Sequence, residues 1–189
     1  MPTTPRKDSR AMSIWTTVDS PLGSLTLVAS VDGLTHLYFP TENPDLDAVT
    51  QTPGAPGNGR AAGVPERVLD DAARQLTEYF SGTRLRFDVQ LAIPAPPLSF
   101  RNRARQALNL IPYGQRWSYA QLAHAAGSPR AVRAAGSACS SNPLPIVVPC
   151  HRVVRADGLI GSYRGGADAK AFLLEHEAHH ARMTQSGNR

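Results

Sequence analysis

Only two cysteines, Cys139 and Cys150, occur in 189 residues. Their scarcity excludes a disulfide framework and a four-cysteine zinc site, so a reducing cytoplasm is the expected compartment. No apolar run approaches the ~20 residues that span a bilayer, and no membrane partner is expected. The first ten residues carry Arg6, Lys7 and Arg10, without the apolar stretch of a secretory signal. Disordered tails are expected over 1–10 and 183–189. Acidic residues are sparse in the second half: residues 98–189 hold 4 Asp/Glu against 12 Lys/Arg, a net +8, whereas 1–97 hold 11 against 8, a net −3. Ten of those twelve cations lie between Arg101 and Lys170. Such an excess is the footprint of a phosphate-binding face, the alternative being a merely solvated basic surface.

What is present is ordinary for a globular chain, with 41% apolar and 19% charged residues, and the length admits one domain or two small ones. Ile14–Val18, the alternating Leu25, Leu27 and Ala29, and Leu34–Phe39 read as three strands. Ser20-Pro21-Leu22-Gly23 and Asp32-Gly33 supply their turns, which predicts an antiparallel meander. Residues 41–65, rich in Pro, Gly, Asn and Asp, read as a long exposed loop. Val68, Leu69, Ala72, Leu76, Tyr79 and Phe80 share one helical face over about 66–80. A strand-like Phe87–Ile93 then leads to Pro94-Ala95-Pro96-Pro97, a stiff connector. The domain boundary is expected at 94–98, between an N-terminal domain (11–93) and a C-terminal one (99–182).

Beyond the connector, Phe100, Ala104, Ala107, Leu108 and Ile111 mark a helix. Ser118 with Gln121 forms a capping box ahead of Leu122, Ala123 and Ala126. Gly127 suits a left-handed helix end, and Ser128-Pro129 reads as the cap and first residue of a second helix reaching Ser140. Together they make a helix-turn-helix. Val153-Val154-Arg155 and Leu159-Ile160 around Asp157-Gly158 suggest a small hairpin, like the wing of a winged helix. A last helix is expected from about Asp168, with Phe172, Leu173 and Leu174 buried.

Cys150 ends the apolar run Ile146-Val147-Val148, adjoins His151 and lies among cationic side chains, which is the setting of a thiolate. A buried inert cysteine is the alternative. Metal binding is disfavoured, because no second ligand stands at a useful spacing.

Pro149-Cys150-His151-Arg152-Val153-Val154, preceded by Asn142-Pro143-Leu144-Pro145-Ile146 and followed by Gly161-Ser162-Tyr163-Arg164-Gly165-Gly166, resembles the signature of the O6-alkylguanine-DNA alkyltransferases, or methylated-DNA protein-cysteine methyltransferases. The likeness runs from about Phe100 to Glu177 and takes in Ile111-Pro112-Tyr113-Gly114, Ser118-Tyr119 and Arg133-Ala134. Val18–Gly23 is similar to the family's N-terminal strands more loosely. The resemblance implies an α/β chain in which a ribonuclease-H-like α/β domain precedes a mainly α-helical winged-helix domain. It implies irreversible transfer of an alkyl group from O6-alkylguanine, and from O4-alkylthymine, in double-stranded DNA to Cys150, by a monomer without cofactor or metal.

By the same resemblance His151 is the base acting through a water, Glu177 polarises it, and Asn142 is the hinge to the cysteine loop. Arg133 fills the gap left by an extruded base, with Ala134, Ala135 and Gly136 letting its helix approach the minor groove. Tyr119 presses on the 3′ phosphate. Pro145, Val153, Tyr163 and Arg164 line the base pocket, supported by Lys170. Two positions depart from the pattern: Ala104-Arg105 replaces a Val-Trp pair, which bears on packing more than on activity, and Cys139 stands where Asn is usual, beside the flipped base. The competing functions are a non-enzymatic alkyltransferase-like lesion sensor, against which Cys150 speaks, and a winged-helix transcription regulator.

Overall fold

A computed structural model describes residues 13–46, 49–51, 63–93, 96 and 98–186. The tail expected at 1–10, residues 47–48 and 52–62 of the expected loop, residues 94, 95 and 97 of the expected linker, and 187–189 of the second tail lie outside the described residues. The chain forms two compact units. One holds the described residues up to Glu78 together with Phe87–Ile93; the other holds Tyr79–Arg86 together with the described residues from 96 onward.

In the first unit β1 (Ile14–Val18), β2 (Leu25–Ser30) and β3 (Gly33–Tyr38) form the expected antiparallel meander. β2 is central and buried along nearly its whole length, so apolar side chains alternate to both covered faces. The stretch expected to be a loop contains a short strand, β4 (Thr50–Gln51), which pairs in parallel with β1 and completes the order β3-β2-β1-β4. α1 (Val64–Phe80) begins slightly earlier than the periodicity suggests. Pro65 falls in its first turn, where a missing N–H costs nothing. Val68, Leu69, Ala72 and Leu76 are buried as expected.

Phe87–Ile93 is not a regular strand. It touches β3 through a single bridge at Leu34–Leu91, with Leu34 N–H donating to Gln90 O (2.8 Å) and Ala92 N–H to Leu34 O (2.8 Å). Side chains hold it instead: Asp88 N–H donates to the buried Gln75 Oε1 (2.9 Å), and Gln75 Nε2 donates back to the Asp88 carboxylate. Gly33, at φ +132, passes so close to this segment that a Cβ would lie 2.6 Å from Gln90 O. Only glycine fits there.

In the second unit α2 (Phe100–Leu108), α3 (Tyr119–Ala125) and α4 (Val132–Ser140) pack on one another. Ser99 caps α2 through Asn102 N–H (3.2 Å). Ile111, expected inside that helix, follows it in tighter three-residue turns. The Ser118–Gln121 capping box forms in both directions (3.2 and 2.7 Å). α3 ends with Gly127 at φ +73, Gly127 N–H on His124 O (2.9 Å) and Ser128 N–H on Ala123 O (3.0 Å), a Schellman closure.

The expected cap at Ser128 does not form. α4 starts at Val132, its N-cap Ala131 has no side-chain bond, and the Ser128 hydroxyl accepts instead from Arg103 Nη2 (3.4 Å). The wing is likewise reduced. β6 (Val153–Val154) pairs in parallel with β5 (Trp117–Ser118) rather than with Leu159-Ile160. The chain around Gly158 closes as a tight turn with Arg155 N–H on Leu159 O (3.0 Å). α5 runs from Gly166 to Ser186, with Leu173 and Leu174 buried and Phe172 half-buried. Among the described residues no helix is long and apolar enough to cross a membrane.

Candidate active site

Asn142–Val148 leaves α4 and turns into a single 3-10 turn, Cys150–Arg152, that leads into β6. Ile146 in this loop has φ +73, the left-handed region that a β-branched side chain enters only when its surroundings force it. Asn142, fully buried, supplies part of that force. Its Oδ1 accepts from Leu144 N–H (3.1 Å), while its Nδ2 donates to Val148 O (2.8 Å) and to Cys150 Sγ (3.2 Å). One amide side chain therefore ties the start of the loop to its end and points a donor at the sulfur.

Cys150 is 3% exposed. Burial pushes its thiol pKa up, against the pull of the Asn142 hydrogen bond and of the Lys170 and Arg164 cations. This corrects the expectation of a standing thiolate: desolvation outweighs the neighbouring charges, so the resting group is a thiol. Cys139, half-buried on α4, is pushed up to about 12, chiefly by burial and then by Cys150.

Behind the cysteine His151, 0% exposed, has Nε2 2.8 Å from Glu177 Oε1. Glu177, 1% exposed, also receives Tyr79 O–H (2.9 Å), Gly114 N–H (3.0 Å) and the Arg152 guanidinium (2.9–3.2 Å). Burial alone would raise the Glu177 pKa, but the His151 hydrogen bond, the charge of His151 once it is protonated, and the charge and hydrogen bonds of Arg152 hold it at about 2. An ionised carboxylate only accepts, so Nε2 must carry the imidazole proton. Burial lowers the His151 pKa in spite of Glu177, leaving the ring neutral at pH 7, with Arg152 as the cation that balances Glu177. Nδ1 is then a lone-pair acceptor, buried and without a hydrogen bond from any described residue. A neutral imidazole fixed in one tautomer is a proton acceptor next in sequence to a thiol.

Cys150, His151, Glu177 and Asn142, the four expected catalytic residues, thus share one buried cluster. Around it Pro145 and Val153 are buried, and Val153 O accepts from the buried Lys170 Nζ (2.7 Å). Arg164 Nη1 donates to Asn142 O (3.2 Å), and the Tyr163 ring stands edge-on to His151 with centroids 6.4 Å apart. Tyr119 is half-buried; a Cβ on Gly161 would lie 3.4 Å from its hydroxyl, and burial with Cys139 and Cys150 nearby raises its pKa.

Arg133 stands exposed on the first turn of α4 and joins none of the cluster's hydrogen bonds. Ala134 beside it is exposed and Gly136 half-buried, but Ala135 is fully buried. Ala135 therefore belongs to the helix packing and not to a groove-facing surface, because it projects from the opposite side of the helix.

Three contributors escape the reading of the sequence. Tyr79 reads as one more apolar position of α1, although its hydroxyl lands on Glu177. Arg152 lies within the motif, yet its Nη1 bond to Ile111 O (2.7 Å) and its pairing with Glu177 have no linear signal. Arg105 is 7% exposed and donates through Nη2 to Ser141 O (2.8 Å). Among the described residues no three His, Cys, Asp or Glu side chains converge as a metal site.

Comparison with known proteins agrees with this geometry. Residues 13–93 match the family model for the 6-O-methylguanine DNA methyltransferase ribonuclease-like domain, and residues 99–179 match that family's DNA-binding domain. The chain is 40% identical over 168 residues to the constitutive methylated-DNA–protein-cysteine methyltransferase of Bacillus subtilis, covering 88% of this chain and 96% of that one. It is 39% identical over 171 residues to the methylated-DNA–protein-cysteine methyltransferase of Rattus norvegicus, covering 86% and 81%. A crystal structure of Mycobacterium tuberculosis OGT in complex with DNA superposes with a TM-score of 0.75 at 38% identity, over 88% of this chain and 94% of that one. The fold expected from the sequence, an α/β ribonuclease-like domain followed by a DNA-binding helical domain, is the one found. With both domain models matched and relatives aligned over most of its length, this chain belongs to the 6-O-methylguanine DNA methyltransferase family.

Proposed function

We propose that this chain repairs DNA by direct reversal, taking the alkyl group from O6-alkylguanine, and from O4-alkylthymine, onto Cys150, once per protein, as a cytoplasmic monomer. The observation that carries the reading is the relay Glu177–His151 beside Cys150, with Asn142 donating to the sulfur. The proton leaves Sγ for His151 Nδ1 through an intervening water as Sγ attacks the alkyl carbon in line with its bond to O6. A C–S bond forms, the C–O6 bond breaks with its electron pair going to the purine, and the thiol proton ends on the guanine. Thiol and alkylated base balance the reaction without another reactant. Because burial favours the thiol, deprotonation accompanies attack. The thioether product has no leaving route, so a second turnover does not occur.

A sulfur this buried cannot reach a base inside a duplex, so the nucleotide leaves the stack, at a cost of a few kcal/mol. Arg133, exposed on α4, is placed to occupy the gap, and Tyr119 to press on the adjoining phosphate. Pro145, Val153, Tyr163 and Arg164 form the pocket, with Tyr163 donating to the purine and Lys170 supporting the Val153 backbone.

The test is incubation with a duplex carrying one labelled O6-methylguanine. One equivalent of label on the protein is expected, placed on Cys150 by fragment ions, since cleavage after Arg133 and Arg152 leaves both cysteines on one peptide. Label mainly on Cys139, or more than one equivalent released from DNA, refutes the reading. DNA binding without transfer would instead match a lesion sensor or a regulator.

A further inference from the structure

We infer that Arg105 is a positioning residue for the transfer reaction, acting through the Ser141–Asn142 junction on the donor that Asn142 holds against Cys150. The inference rests on the reading of Cys150 as alkyl acceptor. Arg105 lies on the buried face of α2 among Ala104, Ala107 and Leu108, where an apolar side chain would satisfy packing at no electrostatic cost. Burial, and then Arg101 on the same helix, lower its pKa, and its Nε is buried without a hydrogen-bond partner among the described residues. A guanidinium so placed is poorly satisfied for its own sake. Its one described bond goes to Ser141 O (2.8 Å), and Ser141 is the C-cap of α4, where a cation suits the exposed carbonyls of the helix end.

The next residue is Asn142, whose own carbonyl accepts from Arg164 Nη1 (3.2 Å). Successive carbonyls at 141 and 142 are therefore held by arginines from two different elements, α2 and the segment before α5. The residue pinned between them carries the amide that donates to Val148 O and Cys150 Sγ. Releasing one clamp lets the Ser141–Asn142 peptide rotate, and of the bonds that amide makes, the one to sulfur, a weak acceptor, is the most easily lost. The same junction ends α4, the helix carrying Arg133, so the sulfur's donor and the DNA-facing helix share one anchor.

The test uses Arg105→Met, which keeps an apolar stem on the buried face of α2 without the donors, and Arg105→Lys, which restores a charged donor. Three quantities are read on the full chain: thermal melting, the rate of transfer from free O6-benzylguanine, which needs no base extrusion, and the pH profile of Cys150 alkylation by iodoacetamide, with fragment ions separating Cys150 from Cys139. The other titratable groups that act on Cys150, namely Tyr119, Cys139, Arg164 and Lys170, and His151 next to it in the chain, are unchanged. Arg105→Met is expected to melt at or above the wild-type temperature while transferring about tenfold more slowly, the scale of one lost hydrogen bond to a reacting group. Its alkylation profile should move to higher pH, and Arg105→Lys should recover most of both losses.

An unchanged rate and profile in Arg105→Met overturns the inference. So does a rate that falls only in step with melting temperature and is not rescued by lysine. If Arg105→Met does not fold, Arg105→Gln, shorter by two bonds and unable to reach Ser141 O, is judged by the same criteria. If the wild type transfers no benzyl group, the reading of Cys150 fails by itself, and the iodoacetamide profile alone decides for or against Arg105.

Discussion

Replacing Glu177 by glutamine preserves shape and removes one charge, which isolates what the carboxylate does. Five N–H and O–H groups converge on it: Tyr79 O–H, His151 Nε2–H, Gly114 N–H, and Nε and Nη2 of Arg152. Glutamine offers one oxygen and one NH2. Whichever way it is turned, at least two of those donors then face another donor, and buried Arg152 loses its counter-charge. A carboxylate held at about 2 against an ordinary 4.5 contributes about 3 kcal/mol at neutral pH, and breaking a buried ion pair by removing one partner costs about 3–5 kcal/mol.

For a domain of this size a loss of about 3 kcal/mol lowers Tm by on the order of 12–24 °C. Because the folded pKa lies below the unfolded one, this contribution is complete above pH 4.5 and is lost as pH falls toward about 2. Denaturant unfolding of wild type and Glu177→Gln should therefore differ by about 3 kcal/mol at pH 7 and by roughly 1.4 kcal/mol at pH 3. A gap of equal size at both pH values would show that the loss comes from packing, and would refute the electrostatic reasoning.

Cys150→Ser should abolish transfer while DNA affinity stays within a few fold, since serine keeps the shape without an accessible anion; label transfer and a gel-shift titration check it. Arg133→Ala should slow transfer on duplex far more than on free O6-benzylguanine, because the gap-filling side chain matters only when a base is extruded; equal slowing on both would move Arg133 from extrusion to pocket structure. Burial holds His151 neutral below its ordinary pKa of 6.5, so the acid limb of the transfer rate should fall below pH 6.5; a limb above that value would mean another group is the base. Affinity for undamaged duplex should drop steeply with salt as phosphate contacts release counterions; a flat response would place DNA binding outside the +8 half.

The meander, the capping box at Ser118, the Gly127 helix end and the motif around Cys150 depend on neighbours within a few residues, so they are legible in the chain alone. Where a distant partner competes, the local signal misleads. Ser128 has the right chemistry for a cap, yet Arg103 claims its hydroxyl. Leu159-Ile160 could complete a hairpin, but the chain closes as a tight turn at Gly158 and the partner of β6 is β5. Phe87–Ile93 has strand-like residues, but it meets β3 through one isolated bridge, and side-chain bonds of Gln75 and Gln90 hold it in place of a ladder.

The reacting groups follow the same division. Cys150 and His151 are consecutive, so the chain alone identifies the residue that carries the sulfur and the imidazole next to it. Their protonation depends on residues brought in from elsewhere: Tyr79 and Arg152 on Glu177 set the His151 tautomer, and burial makes Cys150 a thiol despite its cationic neighbours. A pKa is the balance of desolvation against contacts, and both exist only once elements far apart in the chain have closed around the site.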